Sequence, residues 1–339
     1  MRVWVYITVG ALVIIFALLG LWKQNQFALP SGETGVMATD EIAPGTARQP
    51  LGTSSRTVLT TDGVLHSIPL DEILSGGPPK DGIPSIDDPR FVSTREANFL
   101  DGDDVGLGLV QNGAAKFYPY QILVWHEIVN DGDVLVTYCP LCGTGIAFDP
   151  HVNGEQLNFG VSGKLWQSNL LMYDRTGDGR TESLWSQVLG EAVLGPHTGT
   201  KLAIISSDTV RYGDWVEQYP ETLVLSRDTG ALRTYGFDPY DDYYTSDTVS
   251  FGTTFSDDRL HPKAVVLGVT LNGQYRAYHS DALPEGVTED AIAGTMITVL
   301  KEDTGSVRMF VGPEQEPLPY IRGFWFSWLA VHPETTLFK

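Results

Sequence analysis

One stretch of the chain is apolar without interruption. Residues 3–22 hold no charged side chain, and a helix of that length crosses a hydrocarbon core of about 30 Å at about 1.5 Å per residue. The pattern predicts a transmembrane signal anchor over 1–23. A cleaved secretory signal has a shorter apolar region, about 7–15 residues, followed by a small-residue site, and Gly20-Leu21-Trp22-Lys23 offers none. Residues 24–62 are rich in Ser, Thr, Gly, Pro and Ala without periodicity, which predicts a flexible linker. From residue 63 onward, short β-branched and aromatic runs alternate with Gly, Pro, Asn and Asp, the pattern of strands and tight turns. Helical spacing is confined to 70–74, 120–130 and short pieces around 214–219 and 325–331. The expected fold class is therefore α+β, predominantly antiparallel β with few short helices, behind an N-terminal transmembrane helix.

The body also repeats itself. Asn112-Gly113 with Lys116 and Tyr118 matches Asn272-Gly273 with Arg276 and Tyr278, and each set reads as a hairpin because Asn-Gly favours the tight primed turns. The match continues from 133–138 to 296–300, from 144–148 to 304–310, and from Trp215 with Pro220 to Trp328 with Pro333. Two β-rich pseudo-repeats are expected within a domain over 63–339. The first covers about 106–226 with an insert over 149–214, and the second about 266–338. What the repeats share reads as framework. Where the first has Cys139 and Cys142, the second has Lys301-Glu302-Asp303, so the special chemistry belongs to the first repeat.

Charge narrows the partners. A net charge of −20 opposes nucleic acid, whose phosphates demand Lys and Arg. Arg2 before the apolar run and Lys23 after it favour a cytoplasmic amino terminus, which puts the body outside the cytoplasm. The expected localisation is a single-pass membrane protein with an extracytoplasmic domain, its one stated partner the membrane through the N-terminal helix. No glycine-rich phosphate loop follows a strand and no His follows Cys142, so neither nucleotide nor c-type haem is expected.

Five ordered motifs carry a family resemblance. Residues 76–84 (Gly76 to Pro84), 125–131 (Trp125, His126, Glu127 to Asp131), 138–143 (Tyr138-Cys139-Pro140-Leu141-Cys142-Gly143), 182–187 (Glu182-Ser183-Leu184-Trp185-Ser186-Gln187) and Phe324-Trp325-Phe326 resemble the hallmarks of the domain-of-unknown-function family number 3179. The resemblance spans about 68–338, with Gly177-Asp178-Gly179-Arg180 an addition to the expected pattern. It implies membership and no activity.

Cys139 and Cys142 are the only cysteines, and their spacing admits three readings: a redox dithiol, a pair gripping copper(I) or zinc, or a disulfide that staples the turn. The first two rank ahead, because a bridge closing so short a loop constrains the unfolded chain little. The following residues 144–149 read as a strand, unlike a thioredoxin site, where a helix starts at the thiol. In a metal knuckle the turn amides would point at the sulfurs. A metal needs further ligands, and His126 is the nearest candidate by sequence. The returning strand, however, carries the sulfurs about 17 Å away at about 3.3 Å per residue, and His151 lies about 20 Å off on the same reckoning. Ligands from the insert, His197 with Asp174 or Glu182, fit better. Lys164, Trp166, Asn169, Asp174, Arg175, Glu182, Trp185 and Gln187 are expected to line a polar pocket beside the thiols. The plainer alternative makes Asp174 and Arg175 a surface pair and the tryptophans core residues. Function follows the same branches: thiol redox or metal-dependent chemistry, metal delivery or sensing without turnover, or a surface interaction module with a structural bridge.

Overall fold

The computed structural model describes residues 36–37 and 56–338. The anchor expected over 1–23 and most of the linker lie outside them, and among the described residues no helix is long and apolar enough to cross a membrane. The linker reading extends too far. Leu59–Thr61 and Val64–His66 already form a hairpin turning at Asp62-Gly63.

Sheets that are mostly antiparallel build the body, as the alternating pattern predicts. Val105–Gln111 pairs with Ala114–Pro119, and Val265–Leu271 with Gln274–His279. Asn112 and Gly113 have φ of 52° and 79°, and Asn272 and Gly273 have 51° and 73°. Positive φ at both central residues defines the primed turn that matches strand twist. Each hairpin receives the same additions. Ser207–Arg211 pairs antiparallel to the first, leads into a helix over Tyr212–Gln218, and Leu223–Leu225 returns parallel to the hairpin. Ile321–Phe324, a helix over Trp325–Val331 and Thr336–Leu337 do the same in the second.

Shared side chains lock both units alike. Trp215 packs on Gly108, where a Cβ would approach its ring to 2.6 Å, and Trp328 packs as tightly on Gly268, so neither glycine can become even alanine without a shift. Trp215 Nε1 donates to Thr222 Oγ1 at 2.9 Å, and Trp328 Nε1 to Thr335 Oγ1 at 2.9 Å. Tyr118 OH donates to Asp131 and Tyr278 OH to Asp290, at 2.5 and 2.8 Å.

A meander follows each hairpin: Ile128–Asp131, Val134–Cys139 and Thr144–Asp149 in the first repeat, Gly286–Ile292, Thr295–Lys301 and Val307–Val311 in the second. The helix expected over 120–130 ends at His126. Glu127 takes a left-handed cap (φ 59°), and the remaining residues become the first meander strand, bridged by Ile86. The repeats also interlock. Asp208 accepts from Ser306 Oγ, Val307 N and Tyr320 OH at 2.5, 3.0 and 2.7 Å, while Phe324 N donates to Cys142 O at 2.8 Å.

The insert makes the difference between the repeats. Phe159–Trp166, Asn169–Asp174, Leu184–Ser186 and Glu191–Leu194 join the hairpin over residues 59–66, Val36–Met37 and Leu74–Ser75 in an eight-stranded sheet. That sheet lies against the first meander, tied by Asn130 to Phe159 in both directions at 2.9 Å, and every residue of Val134–Cys139 is buried. The second meander has no such cover, and Val287 and Met296 are 66% and 52% exposed.

Candidate functional site

The strand Val134–Cys139 is a β-branched run ending at the first cysteine, and Pro140 and Gly143 turn the chain so that Thr144 pairs back with Cys139. Cys142 N donates to Cys139 O at 3.1 Å and Gly143 N to Pro140 O at 3.4 Å. The turn amides are spent on carbonyls rather than aimed at sulfur, which departs from the knuckle geometry. Gly143 has φ of 61°, and the Phe324 ring lies 3.0 Å from where its Cβ would stand. The two cysteines form a disulfide. Both are buried, Cys142 completely.

Four separate parts of the chain enclose the bridge. The insert supplies Asn169 Oδ1 at 3.1 Å and Ser168 O at 3.4 Å from the Cys142 sulfur. The orientation of Asn169 is set on both sides, its Nδ2 donating to Gln167 O at 2.8 Å and its Oδ1 accepting from Ser327 of the second repeat at 2.6 Å. Gln187 clamps the strands that carry the cysteines. It accepts from Thr144 Oγ1 at 2.8 Å and donates to Thr137 Oγ1 and Thr144 O, both at 3.1 Å. The fourth part is residues 226–264, which join the repeats and hold one short helix, Asp241–Thr245. Tyr243 OH donates to Leu141 O at 2.9 Å, and Tyr244 OH lies 3.4 Å from Tyr138 OH. Ser168 Oγ donates to Ser250 O and Gly252 O, and Gln167 and Thr254 bond twice at 2.6 Å.

The eight residues expected in one pocket do not stand together. Only Asn169 and Gln187 stand by the cysteines. At the other end of the strand Asn169–Asp174, Asp174 is buried and accepts from Ser183 N and Trp185 Nε1 at 2.7 and 3.0 Å, with His197 Nε2 at 3.9 Å. Burial raises its carboxyl above the ordinary range, and those two donors oppose the shift. Lys80 binds Glu182 at 2.5 Å, and Arg175 binds Asp81, Asp87 and Ser85 at 2.9, 2.5 and 2.7 Å. These residues join the motifs over 76–84 and 182–187 in an ion-paired seam. Trp185 is core, as the plainer alternative had it. Trp166 is buried too and donates to Glu72 at 2.8 Å, while Lys164 sits half-buried at a bulge in its strand.

Two of the histidines weighed as ligands, His126 and His197, are placed elsewhere. His126 uses Nδ1 on Pro84 O and Nε2 on Tyr235 OH, both at 2.7 Å, and burial lowers its pKa. His197 faces Asp174 and Trp185. Among the described residues no group of three or more His, Cys, Asp and Glu gathers in a way that could hold a metal.

Sequence reasoning missed Ser327 and the whole of 226–264, both far from the cysteines along the chain. The one available signal was Tyr240, Tyr243 and Tyr244, an aromatic cluster in an otherwise polar connection.

Fold and site together define an α+β protein, mostly antiparallel β, with one buried disulfide at the turn between Val134–Cys139 and Thr144–Asp149. The chain belongs to the family described as Protein of unknown function (DUF3179), whose model matches residues 80–315. No curated protein and no solved structure matches the chain.

Proposed function

We propose that this is a membrane-anchored extracytoplasmic protein whose Cys139–Cys142 pair exchanges between disulfide and dithiol with a partner dithiol. The observation that carries the reading is the pair of oxygens at Cys142. Asn169 Oδ1 and Ser168 O can each accept from a thiol, and Asn169 is held in that orientation from two sides. A bridged sulfur has no proton to offer them, so the surroundings of Cys142 are complementary to the reduced state as well as the oxidised one.

The step balances as follows. A partner thiolate attacks the Cys139 sulfur and breaks the bond to Cys142, which leaves, takes a proton and directs its S–H at Asn169. The partner's second thiol then attacks the mixed disulfide and releases Cys139 as a thiol. Two electrons pass from the partner dithiol, which becomes the disulfide. Because both sulfurs are buried, exchange requires part of the enclosure to open, and residues 226–264 have the least regular structure around it.

Copper or zinc binding has less support, since the atoms nearest Cys142 are an amide and a carbonyl oxygen and both histidines are engaged away from it. Asn169→Leu tests the redox reading. It removes the nearer of the two acceptors for the thiol and leaves the carbonyl of Ser168, so the reduction midpoint is expected to fall by at most roughly 20 mV, the equivalent of a hydrogen bond of about 1 kcal/mol. An unchanged midpoint in a folded variant counts against the role assigned to Asn169.

A further inference from the structure

The duplication provides an internal control for surfaces. Around the helix Trp325–Val331 every residue is buried: Ser327 is bonded to Asn169 of the insert, and Arg56 donates to Val331 O at 3.1 Å. The equivalent helix Tyr212–Gln218 buries only Tyr212 and Trp215. Where the first meander's turn and its neighbouring helix receive the hairpin over 166–169, the second meander's turn faces an open groove of about 280 Å³. Val110, Asp208, Trp215, Gln218, Phe310 and Tyr320 are among its lining residues. An adjoining recess of about 240 Å³ shares Trp215, Gln218 and Glu302 and adds Asp214 and Glu217.

The chemistry of the rim differs from the filled counterpart in one respect. Ser327 corresponds to Asp214, each standing just before the tryptophan that packs on the shared glycine. A donor to the insert in one unit is thus an acceptor facing the groove in the other. Arg211 and Arg308 are already paired with Asp214 and Glu302, at 2.7 and 2.5 Å, and Glu217 is exposed and takes part in no ion pair among the described residues. The apolar floor, and Glu217 as a rim carboxylate without an ion pair among the described residues, are complementary to an occupant with apolar and basic side chains.

We infer that this groove docks a short, basic, extended segment of a partner protein, in the place where the first repeat receives its own insert. Its apolar side chains lie against Trp215, Phe310 and Val110, and a basic side chain meets Glu217. This inference is independent of the thiol chemistry, since the groove is lined by neither cysteine.

Fluorescence polarisation with a labelled peptide of alternating lysine and valine, and a matched peptide of alternating glutamate and valine, tests it on the full chain. The lysine peptide is expected to bind, and Val110→Arg and Glu217→Lys are each expected to weaken it at least tenfold while the protein stays folded by circular dichroism. Glu334→Lys, an equal charge change outside the groove, is expected to leave the affinity within twofold. No binding, equal binding of the glutamate peptide, or equal loss with Glu334→Lys would overturn the inference. So would self-association of the protein that Val110→Arg abolishes, since the occupant would then be another copy of this chain.

Discussion

Glu127→Gln is expected to stabilise the protein by roughly 3–5 kcal/mol above pH 8 and to change little below pH 4.5. Glu127 sits at the left-handed cap between the helix and the first meander strand, where its backbone accepts from Tyr138 N at 2.7 Å. Its carboxyl is buried, and burial raises its pKa to about 8 from an ordinary 4.5. A raised carboxyl binds its proton more tightly in the folded state, so stability is complete below the unfolded value and is lost as pH climbs toward the folded one. At about 1.4 kcal/mol per pKa unit the shift gives the stated range. His332 acts at the other limb. It is buried, stacked between Tyr275 and Trp328, and burial lowers its pKa to about 3, with Arg56 and Lys201 adding to the shift. Its contribution is present above the unfolded value of about 6.5 and is lost as pH falls toward the folded one. Between about pH 4.5 and 6.5 the two slopes cancel. Urea titrations across pH should show a plateau there, falling on both sides, and Glu127→Gln should remove the alkaline fall and turn the plateau into a rise that ends near pH 6.5. A parallel shift of the whole curve would mean that Glu127 is not the group responsible.

Trp328→Ala is expected to cost about 5 kcal/mol, and Trp215→Ala closer to 3 kcal/mol, the two ends of the usual range for removing a large buried aromatic. The residues are equivalents, each against a glycine and each donating to a threonine at 2.9 Å. Their surroundings differ. Trp328 belongs to a helix enclosed by the insert, so its removal leaves a closed void. Trp215 lines the open groove, and the space it vacates merges with solvent. Chemical denaturation of both variants checks the order. Equal losses would show that the insert does not cover the helix Trp325–Val331 more tightly than the helix Tyr212–Gln218 is covered beside the groove.

Much of this arrangement was legible from residue pattern. The Asn-Gly turns, the tryptophans and the strand after Cys142 follow from short-range rules, because a two-residue turn or a period-two run carries its own geometry. The end of the helix at His126 did not, since nothing local forbids its continuation and the sheet claims 128–131 through pairing with Thr137 and its neighbours. The cysteine surroundings were half legible. Asn169 and Gln187 stand where the pocket was expected, whereas Asp174, Arg175 and Glu182 lie along the strand toward its far end, and a sequence does not reveal which end of a hairpin faces which neighbour. Ser327 and Tyr243 reach the site only through the interlock of the repeats, a contact with no local signature.

The Cys139–Cys142 bridge is expected to open and close in the folded protein. Equilibrating the native full chain in graded mixtures of reduced and oxidised dithiothreitol, then trapping thiols by alkylation and counting them by mass, measures it directly. A reversible two-electron transition to two alkylated cysteines is expected, with far-ultraviolet circular dichroism unchanged and a midpoint above about −300 mV, where exchangeable bridges lie. A bridge that opens only when the protein unfolds would contradict it and leave the disulfide a staple.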